Sequence, residues 1–577
     1  MEGSQEEDRL LEEVSDQKGG LRTLPFILVV DCFEEVASFG LALYMILYLV
    51  NEYHMETAAG TSLLFLWSSL SSFLTIVGAY ASDTHFGRYR VILCGSICSI
   101  LGLVILWLTS AVPQAKPPPC DRHSDSCKPP THLQLTILVS SLLLLSIGAG
   151  CTRPCTTAFG ADQIAIREDG SENERILQSF FNWYYAAGGI STIISLTVNV
   201  YIQDHFGWQL GFGVPAVLMF LAAILFLVGS PLYVKVKANS SALTGLAQAL
   251  VAAFKARHLE LPPYTEEACY RHDKESKITK PSDKLRYLNK ACLIKNTEQD
   301  LASKSWELCT VDEVEALKSV IGVIPIWMSG IIMFLNLGQA SIVVLQAETM
   351  DRHITSNVEI PPGSFCTFAV VSLMVSIAFY ERIISPLLAK HTKIGRLSPV
   401  TRMIIGLVFA CLSLTVGAVV ENVRRKTAIR GGGSAAAAPA QAQARTMSAM
   451  WVVPPLVLGG IAEGISAAAR IEYYYSHLPN SMSTIAVALF TLESAFSGLL
   501  GSLMVNVVNS ITSNGGKASW YASDINDGRY DYYLALHGGL GLLNLLVFLV
   551  SCLASGHSKE KQPTILHETG ELKNNLL

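Results

Sequence analysis

Long apolar runs separated by short polar segments extend along most of the chain. An apolar run of about 18 residues or more is long enough, as a helix, to cross the hydrocarbon core of a bilayer. A soluble protein would instead distribute its apolar residues at helical or strand spacing. The pattern predicts twelve membrane-spanning helices, at 24–50, 60–82, 90–112, 133–155, 179–201, 210–233, 319–346, 362–387, 399–420, 449–470, 483–509 and 532–554.

One long polar segment, Lys235 to Lys318, divides these runs into two sets of six. Two six-helix bundles joined by such a segment predict an all-α membrane protein with the major-facilitator fold, in which a substrate cavity lies between the halves near the bilayer midplane. The predicted domains are a cytosolic N-terminal tail, an N-terminal bundle, a cytosolic central loop, a C-terminal bundle and a cytosolic C-terminal tail, at 1–23, 24–233, 234–318, 319–554 and 555–577.

Composition agrees with a protein that lies mostly in lipid. Half of the 577 residues are hydrophobic, 15% are charged, and the net charge is −5. Nucleic-acid binding needs concentrated Lys and Arg and has no support here. We find no phosphate-binding loop, no zinc-ligand spacing and no buried nucleophile with its base and acid, so the sequence predicts neither a cofactor, nor a metal, nor an enzyme.

Short loops predict the orientation in the membrane. Lys and Arg collect in residues 85–90 and 390–402, whereas 51–56 contain none, which places both termini in the cytosol. Residues 424–430 are basic on the predicted outer face and disagree with this assignment. We give the helix count more weight, because the rule weakens for late segments.

Two charged residues at the ends of apolar spans point to transport. Arg153 lies near the inner end of the fourth span and Glu472 near the end of the tenth. Charges at such positions are costly unless they pair or line a water-filled path.

Several short sequence segments lie where predicted helices meet loops, and few residue types fit the backbone geometry at such positions. In the first of them, Gly87 permits a tight turn, and Asp83 and Arg88 can hold neighbouring helix ends together. The segments are Gly78 to Tyr89, Arg153 to Gln163, Phe180 to Tyr185, Gln346 to Arg352, Pro361 to Phe365, Glu421 with Arg424 and Arg425, Glu472 to Tyr475 and Pro479 to Met482.

Together, in this order, these segments resemble the proton-dependent oligopeptide transporter family, in particular its plant nitrate and peptide transporter branch. The resemblance covers roughly residues 18 to 555. It implies a major-facilitator fold and uptake of a small-molecule solute driven by protons.

In many members of that family the first helix carries a Glu-x-x-Glu-Arg or Glu-x-x-Glu-Lys pattern that couples proton movement to transport. The matching residues here are Asp31, Glu34 and Glu35. They share one helix face and have no local base. Burial and mutual repulsion favour the protonated form of a carboxyl group, which suits a proton-loading site. The missing base leaves a proton-uncoupled carrier, or acids that merely face a vestibule, as alternatives.

The resemblance also assigns roles to Arg153 and Glu472. They match a basic residue of the fourth helix and a tenth-helix carboxylate associated with gating or with substrate amino groups. A pair that forms in one state and breaks in another would give alternating access a switch. The alternative is a permanent structural salt bridge.

The seventh helix bears on the solute. A nitrate transporter of this family holds a nitrate-binding histidine two residues before a glutamine, which corresponds here to Gln339. Leu337 takes the place of the histidine, so nitrate would need another cation, such as Arg153. Asn336 and Gln339 are candidate cavity residues, with interhelical hydrogen bonds as the alternative.

The sequence allows two roles for each of three further residues. Arg470 could add positive potential for an anionic solute, but we favour a side chain that reaches the cytosolic interface. Tyr184 and Trp327 could line the cavity, and we favour packing or interfacial anchoring.

The sequence therefore predicts a proton-coupled carrier for nitrate or another small anionic or zwitterionic solute, such as a peptide, hormone or glycoside, working by alternating access. The alternatives are a solute sensor without transport and a proton-uncoupled facilitator. We expect the plasma membrane as its location, with the vacuolar membrane as the alternative.

Overall fold

The computed structural model describes most of the membrane-embedded chain. The described residues are 19–20, 22–119, 129–165, 171–236, 242–258, 270–271, 281–294, 308–356, 358–391, 396–430, 447–479, 482–513 and 518–554. The predicted C-terminal tail and residues 1–18 of the predicted N-terminal tail lie outside this part of the chain.

Six long helices form the N-terminal half. They are α1 (Leu24–Asn51), α2 (Thr57–Phe86), α3 (Arg88–Ala111), α4 (His132–Ala165), α5 (Ser171–Ile194, continued by Ser195–Asn199 and Val200–His205) and α6 (Trp208–Val228). Gly87 and Gly207 precede α3 and α6 with φ angles of 77° and 83°. Only glycine adopts this region readily, so these residues allow the tight turns into both helices.

The C-terminal half repeats the arrangement. Its helices are α7 (Val311–Glu348), α8 (Pro362–His391), α9 (Pro399–Arg430), α10 (Ala449–His477), α11 (Ser483–Thr512) and α12 (Tyr530–Ala554). Eleven of the described helices are long and apolar enough to cross a membrane, and the 28-residue α1, which carries three acids, packs among them. Each predicted span therefore corresponds to one helix.

The start of α7 shows why the long polar segment ends there. Thr310 accepts a hydrogen bond from the backbone of Glu313, whose side chain accepts one from the backbone of Thr310. This reciprocal pair satisfies two of the free N–H groups at the helix start. The helix Ala242–Lys255, within the long polar segment, packs its buried alanines against Val311 and Val314.

The N-terminal half is close-packed where two glycines meet. A Cβ atom on Gly78 of α2 would overlap the backbone carbonyl of Gly150 on α4. Small residues at such positions let membrane helices approach closely. The contact holds α4 close against α2.

Ion pairs fasten the helix ends of each half. At the predicted cytosolic end, Arg88 contacts Asp83 at 3.3 Å and Asp162 at 2.6 Å, which confirms the expected clasp and extends it to α4. At the predicted outer end, Glu421 accepts hydrogen bonds from Arg424 and from Gln346, both at 2.8 Å. This buried pair explains why α9 continues ten residues past its predicted end at 420.

Contacts between α2 and α11 join the halves through small polar residues. Ser62 and Ser502 share a hydrogen bond at 2.7 Å, Asn506 donates to Ser62 at 2.8 Å, and Ser69 donates to the carbonyl of Ala495 at 2.7 Å. Interhelical bonds of this kind stabilise close helix packing in the low-dielectric interior.

Further contacts between the halves lie at the predicted outer end. Arg352 lies 3.7 Å from Asp204 at the end of α5, and Ser364 donates to the carbonyl of Leu196 at 2.7 Å. Arg352 immediately precedes a two-stranded antiparallel hairpin, β1 (His353–Thr355) and β2 (Val358–Glu359). Nη2 of Arg352 lies 2.5 Å from Oε1 of Glu359 in the second strand. These contacts close the predicted outer end.

We expect Asp204→Asn to loosen this outer closure. A partly exposed ion pair between the halves stabilises the closed outer end by about 1 kcal/mol. Its loss should therefore raise the fraction of protein molecules that are open at this end about fivefold. The measurement is the rate at which a membrane-impermeant thiol reagent, applied outside intact cells, labels Ser341→Cys in a cysteine-free background.

Glu52→Gln is the matched control for Asp204→Asn. It removes an ion pair with Lys116 at the same end, but within the N-terminal half alone. Equal labelling rates in the two variants would contradict the role of Asp204 as a contact between halves.

Candidate functional site

A cavity of about 450 Å³ lies between the two halves. Its charged lining residues are Glu34, Arg153 and Glu463, from α1, α4 and α10. Most of the other lining residues are apolar, and hydroxyl groups from both halves lie among them, including Ser38, Ser71, Ser341 and Ser494. Within the described residues, no group of three or more His, Cys, Asp and Glu side chains is placed to hold a metal ion.

Helix α7 is broken where it meets the cavity. Its two parts, Val311–Leu337 and Ala340–Glu348, are separated at Gly338 and Gln339, and Leu337, Gly338 and Ser341 line the cavity. Broken helices are tolerated inside a membrane protein where they border a cavity. The break places backbone as well as side chains along the cavity wall.

The two predicted amides of α7 hold the helix in place. Gln339 donates to the carbonyl of Leu335 at 2.7 Å, which satisfies an acceptor freed by the break. Asn336 accepts from Nδ1 of His537 on α12 at 3.2 Å. Both are buried and neither is among the lining residues, so the interhelical alternative describes Asn336 and a local cap describes Gln339.

The acids of α1 receive their base from α4. Asp31 and Glu34 are buried, Glu35 is partly buried, and Nε of Arg153 lies 3.4 Å from Oε1 of Glu34. The cation that the α1 sequence lacks is therefore supplied by another helix. The Arg153 side chain keeps 38% of its surface accessible, because it borders the cavity.

Each of the three acids also has a hydroxyl donor. Tyr184 donates to Asp31 at 2.5 Å, and Thr192 donates to Glu35 at 3.5 Å. Ser38 lies 3.2 Å from Glu34 as a third donor. Tyr184 thus belongs to the acidic cluster rather than to the cavity wall.

The expected contact between Arg153 and Glu472 is not formed in this structure. Glu472 accepts from Nη1 of Arg402 on α9 at 2.7 Å and is 42% exposed. Arg402 is buried and lies over the ring of Tyr380, 4.4 Å from its centre. Glu472 therefore fastens the ends of α9 and α10, away from the cavity.

The carboxylate of α10 that reaches the cavity is Glu463, which the sequence analysis missed. It lies nine residues before Glu472, between small residues in the middle of an apolar run. An acid so deep in a span is itself a signal of function.

The prediction that Arg470 reaches the cytosolic interface is wrong. Its side chain is 2% exposed, and its Nε lies 3.4 Å from Oε2 of Glu493 on α11, which is fully buried. Tyr474 donates a hydrogen bond to the same carboxylate. Glu493 was also missed, although it is an acid in the middle of an apolar span.

Trp327 packs between helices, as favoured from the sequence. Its indole N–H donates to the carbonyl of Leu489 at 2.9 Å, and its ring meets Phe496 edge-on at 5.5 Å. It therefore fixes α7 against α11 and is not among the residues that line the cavity.

The chain has close relatives among plant proteins. It is 45% identical to Protein NRT1/ PTR FAMILY 1.2 of Arabidopsis thaliana over 551 residues, which cover 93% of this chain and 90% of that protein. It is 44% identical to Protein NRT1/ PTR FAMILY 1.1 of the same plant over 549 residues, covering 93% and 92%.

Solved structures of transporters share the fold. An auto-inhibited POT family peptide transporter superposes with a TM-score of 0.65 at 18% identity, covering 92% of this chain and 96% of that one. The POT family transporter PepTSo gives a TM-score of 0.65 at 18% identity, covering 94% and 99%. The major-facilitator fold predicted from the sequence is confirmed by these likenesses.

The profile of the POT family matches residues 89–521, which is most of the chain. With the plant relatives, this match confirms the resemblance drawn from the motifs. The chain therefore belongs to the POT family of membrane transporters.

Proposed function

We propose that this protein is a proton-coupled secondary transporter that carries a small organic anion or zwitterion by alternating access. The observation that carries the proposal is the contact of Arg153 with Glu34 at the edge of the cavity, beside two more acids. Three acids and one arginine cannot all stay ionised in a buried site at low cost, so the cluster favours proton uptake.

The proton and the solute act on the same arginine. A proton bound at Glu34 removes negative charge that holds Arg153 in place. The guanidinium can then bind an anionic group of the solute in the cavity. When the solute leaves, Arg153 returns to the carboxylate and the proton is released. Uptake of a proton and binding of an anion thereby favour each other.

The size of the cavity favours an organic solute over nitrate. At about 450 Å³ it falls within the roughly 300–1,000 Å³ typical of sites for drug-sized ligands. Nitrate would occupy a small part of this volume, and Leu337 at its wall offers no charge. Related POT transporters were solved with alafosfalin and with 5-aminolevulinic acid, which supports a solute of this size.

The closed outer end fits one state of a transport cycle. Contacts such as Arg352 with Asp204 hold the halves together there. In the proposed cycle these contacts break while contacts at the opposite end form, so that the cavity opens to each side in turn.

Glu34→Gln should flatten the pH dependence of uptake. The amide keeps the shape of the side chain but cannot load a proton, so we expect an acidic medium no longer to stimulate transport. The measurement is uptake of labelled dipeptides, plant hormones and nitrate in cells stepped between acidic and neutral medium.

Glu463→Gln and Glu472→Gln form the comparison pair on α10. Glu463 borders the cavity, so its loss should raise the KM for uptake, whereas Glu472 lies away from the cavity and its substitution should leave the KM unchanged even if it lowers stability.

Two results with the wild-type protein would favour the alternative functions. Uptake that does not change with pH would indicate a proton-uncoupled facilitator. Solute binding without measurable flux would indicate a sensor.

Arg153→Gln should weaken solute binding and destabilise the protein, because it strands buried acids. Leaving one partner of a fully buried pair uncompensated typically costs about 3–5 kcal/mol, and because the Arg153 side chain is 38% exposed we expect a smaller loss here. We expect a raised KM for anionic solutes and a lower melting temperature in detergent. Arg153→Gln combined with Glu34→Gln should recover part of the melting temperature but not the KM.

Arg153→Lys completes this set, since it keeps the charge but loses the planar fork. Its KM should fall between those of the wild type and Arg153→Gln. A double variant no more stable than Arg153→Gln alone would contradict the coupling of Arg153 to Glu34.

A further inference from the structure

A second arginine and glutamate face each other in the C-terminal half. Arg470 of α10 and Glu493 of α11 are both buried, with 3.4 Å between Nε and Oε2. Neither residue has a part in the proton-coupled site described above. The pair lies beside the cavity wall, because the Arg470 guanidinium carbon is 4.8 Å from the ring centre of Phe334, which lines the cavity.

The hydrogen bonding of this pair is incomplete. Nε and Nη2 of Arg470 and Oε2 of Glu493 have no hydrogen-bond partner among the described residues. Within the described part of the chain, the one hydrogen-bond partner of Nη1 of Arg470 is the sulfur of Met333, at 3.5 Å. A guanidinium carries five N–H donors, and leaving them unpaired in a buried site is costly. Arg470 therefore retains donors that a ligand could use.

Arg470 occupies the place in its half that Arg153 occupies in the other. Arg153 lies 21 residues after His132, the first residue of α4, and Arg470 lies 21 residues after Ala449, the first residue of α10. Both are on the fourth helix of their half, and in both the Nε atom lies 3.4 Å from a glutamate. The cavity lies between the halves that carry them.

Two aromatic side chains flank Arg470, and one of them, Phe334, lines the cavity. The guanidinium carbon lies between Phe334 and Phe490, at 4.8 Å and 5.5 Å from the ring centres. The two rings meet edge-on at 5.4 Å. Aromatic faces stabilise a cation without using its N–H donors. A turn of the Phe334 ring would open these donors to the cavity.

We propose that Arg470 is a second anion-binding site, which takes a carboxylate group of an organic solute and which Glu493 occupies when the solute is absent. The solute carboxylate displaces Glu493 and binds the free N–H groups of Arg470, while Glu493 keeps the hydrogen bond from Tyr474. This inference rests on the proposed function, and it extends the solute class to molecules that carry a carboxylate toward the C-terminal half.

Binding of succinate to the purified full-length protein tests this site, with succinamide as the neutral probe of similar shape. Glu493→Gln removes the internal competitor and should tighten succinate binding about tenfold, equivalent to ~1.4 kcal/mol. Glu493→Gln combined with Arg470→Gln should lose that gain. Succinamide binding should stay the same in all three proteins.

Glu421→Gln is the matched control, because Glu421 also pairs with an arginine in the interior but lies away from the cavity and is fully hydrogen-bonded. It should leave succinate binding unchanged. Phe334→Leu is a second, independent test of the Arg470 site. The smaller side chain should expose Arg470 to the cavity and therefore also tighten succinate binding.

The inference is overturned if neither Glu493→Gln nor Phe334→Leu binds succinate more tightly than the wild type. That result leaves the proposed function intact, because the test of proton coupling uses Glu34 and flux. Conversely, tighter succinate binding without any pH-dependent flux would uphold the Arg470 site and contradict the proton-coupled cycle.

Discussion

The pairing of Arg153 with the acids of α1 is the constraint on which the centre of this protein depends. Charges in a membrane interior must be paired or hydrated, and α1 carries three carboxyl groups with no base of its own. The base comes from α4, which reaches the site because Gly150 packs directly on Gly78 of α2. Gly150 lies three residues before Arg153, so one helical turn holds both the close contact and the charge.

Four of the ion pairs differ clearly in their hydrogen bonds. At the helix ends, Arg88 with Asp162 and Arg424 with Glu421 are held at 2.6 Å and 2.8 Å by direct hydrogen bonds. Near the cavity, Arg153 and Arg470 approach their glutamates only to 3.4 Å, with Nε unbonded in each. The two pairs beside the cavity are thus looser than these two pairs at the helix ends. Looser pairs are easier to exchange for a ligand.

Much of the fold could be predicted from the sequence, because a bilayer requires long apolar helices and leaves few other solutions. The clasp of Asp83 and Arg88 was also predictable, since both residues lie in one short turn. The contacts of Arg153 were not, because hydropathy places a residue at a depth in the membrane but says nothing about which helices are neighbours. Those contacts depend on packing between distant parts of the chain.

Helix geometry alone could have corrected one assignment on α10. At 3.6 residues per turn, nine residues rotate a side chain by about two and a half turns, so Glu463 and Glu472 point to opposite sides of the helix. Seven residues make almost two full turns, so Arg470 shares the face of Glu463. A carboxylate near the middle of the span and an arginine on the same face indicate the side that meets the cavity.

The two halves differ in how far their arginines are open to the cavity. Arg153 keeps 38% of its side chain accessible, whereas Arg470 keeps 2% and lies behind Phe334. In this conformation the site of the N-terminal half is therefore open and its counterpart is covered. Phe334 is one of the side chains that cover Arg470, whereas Arg153 borders the cavity directly. A ring can turn without breaking the packing of the helices, so access to Arg470 can change while both bundles keep their structure.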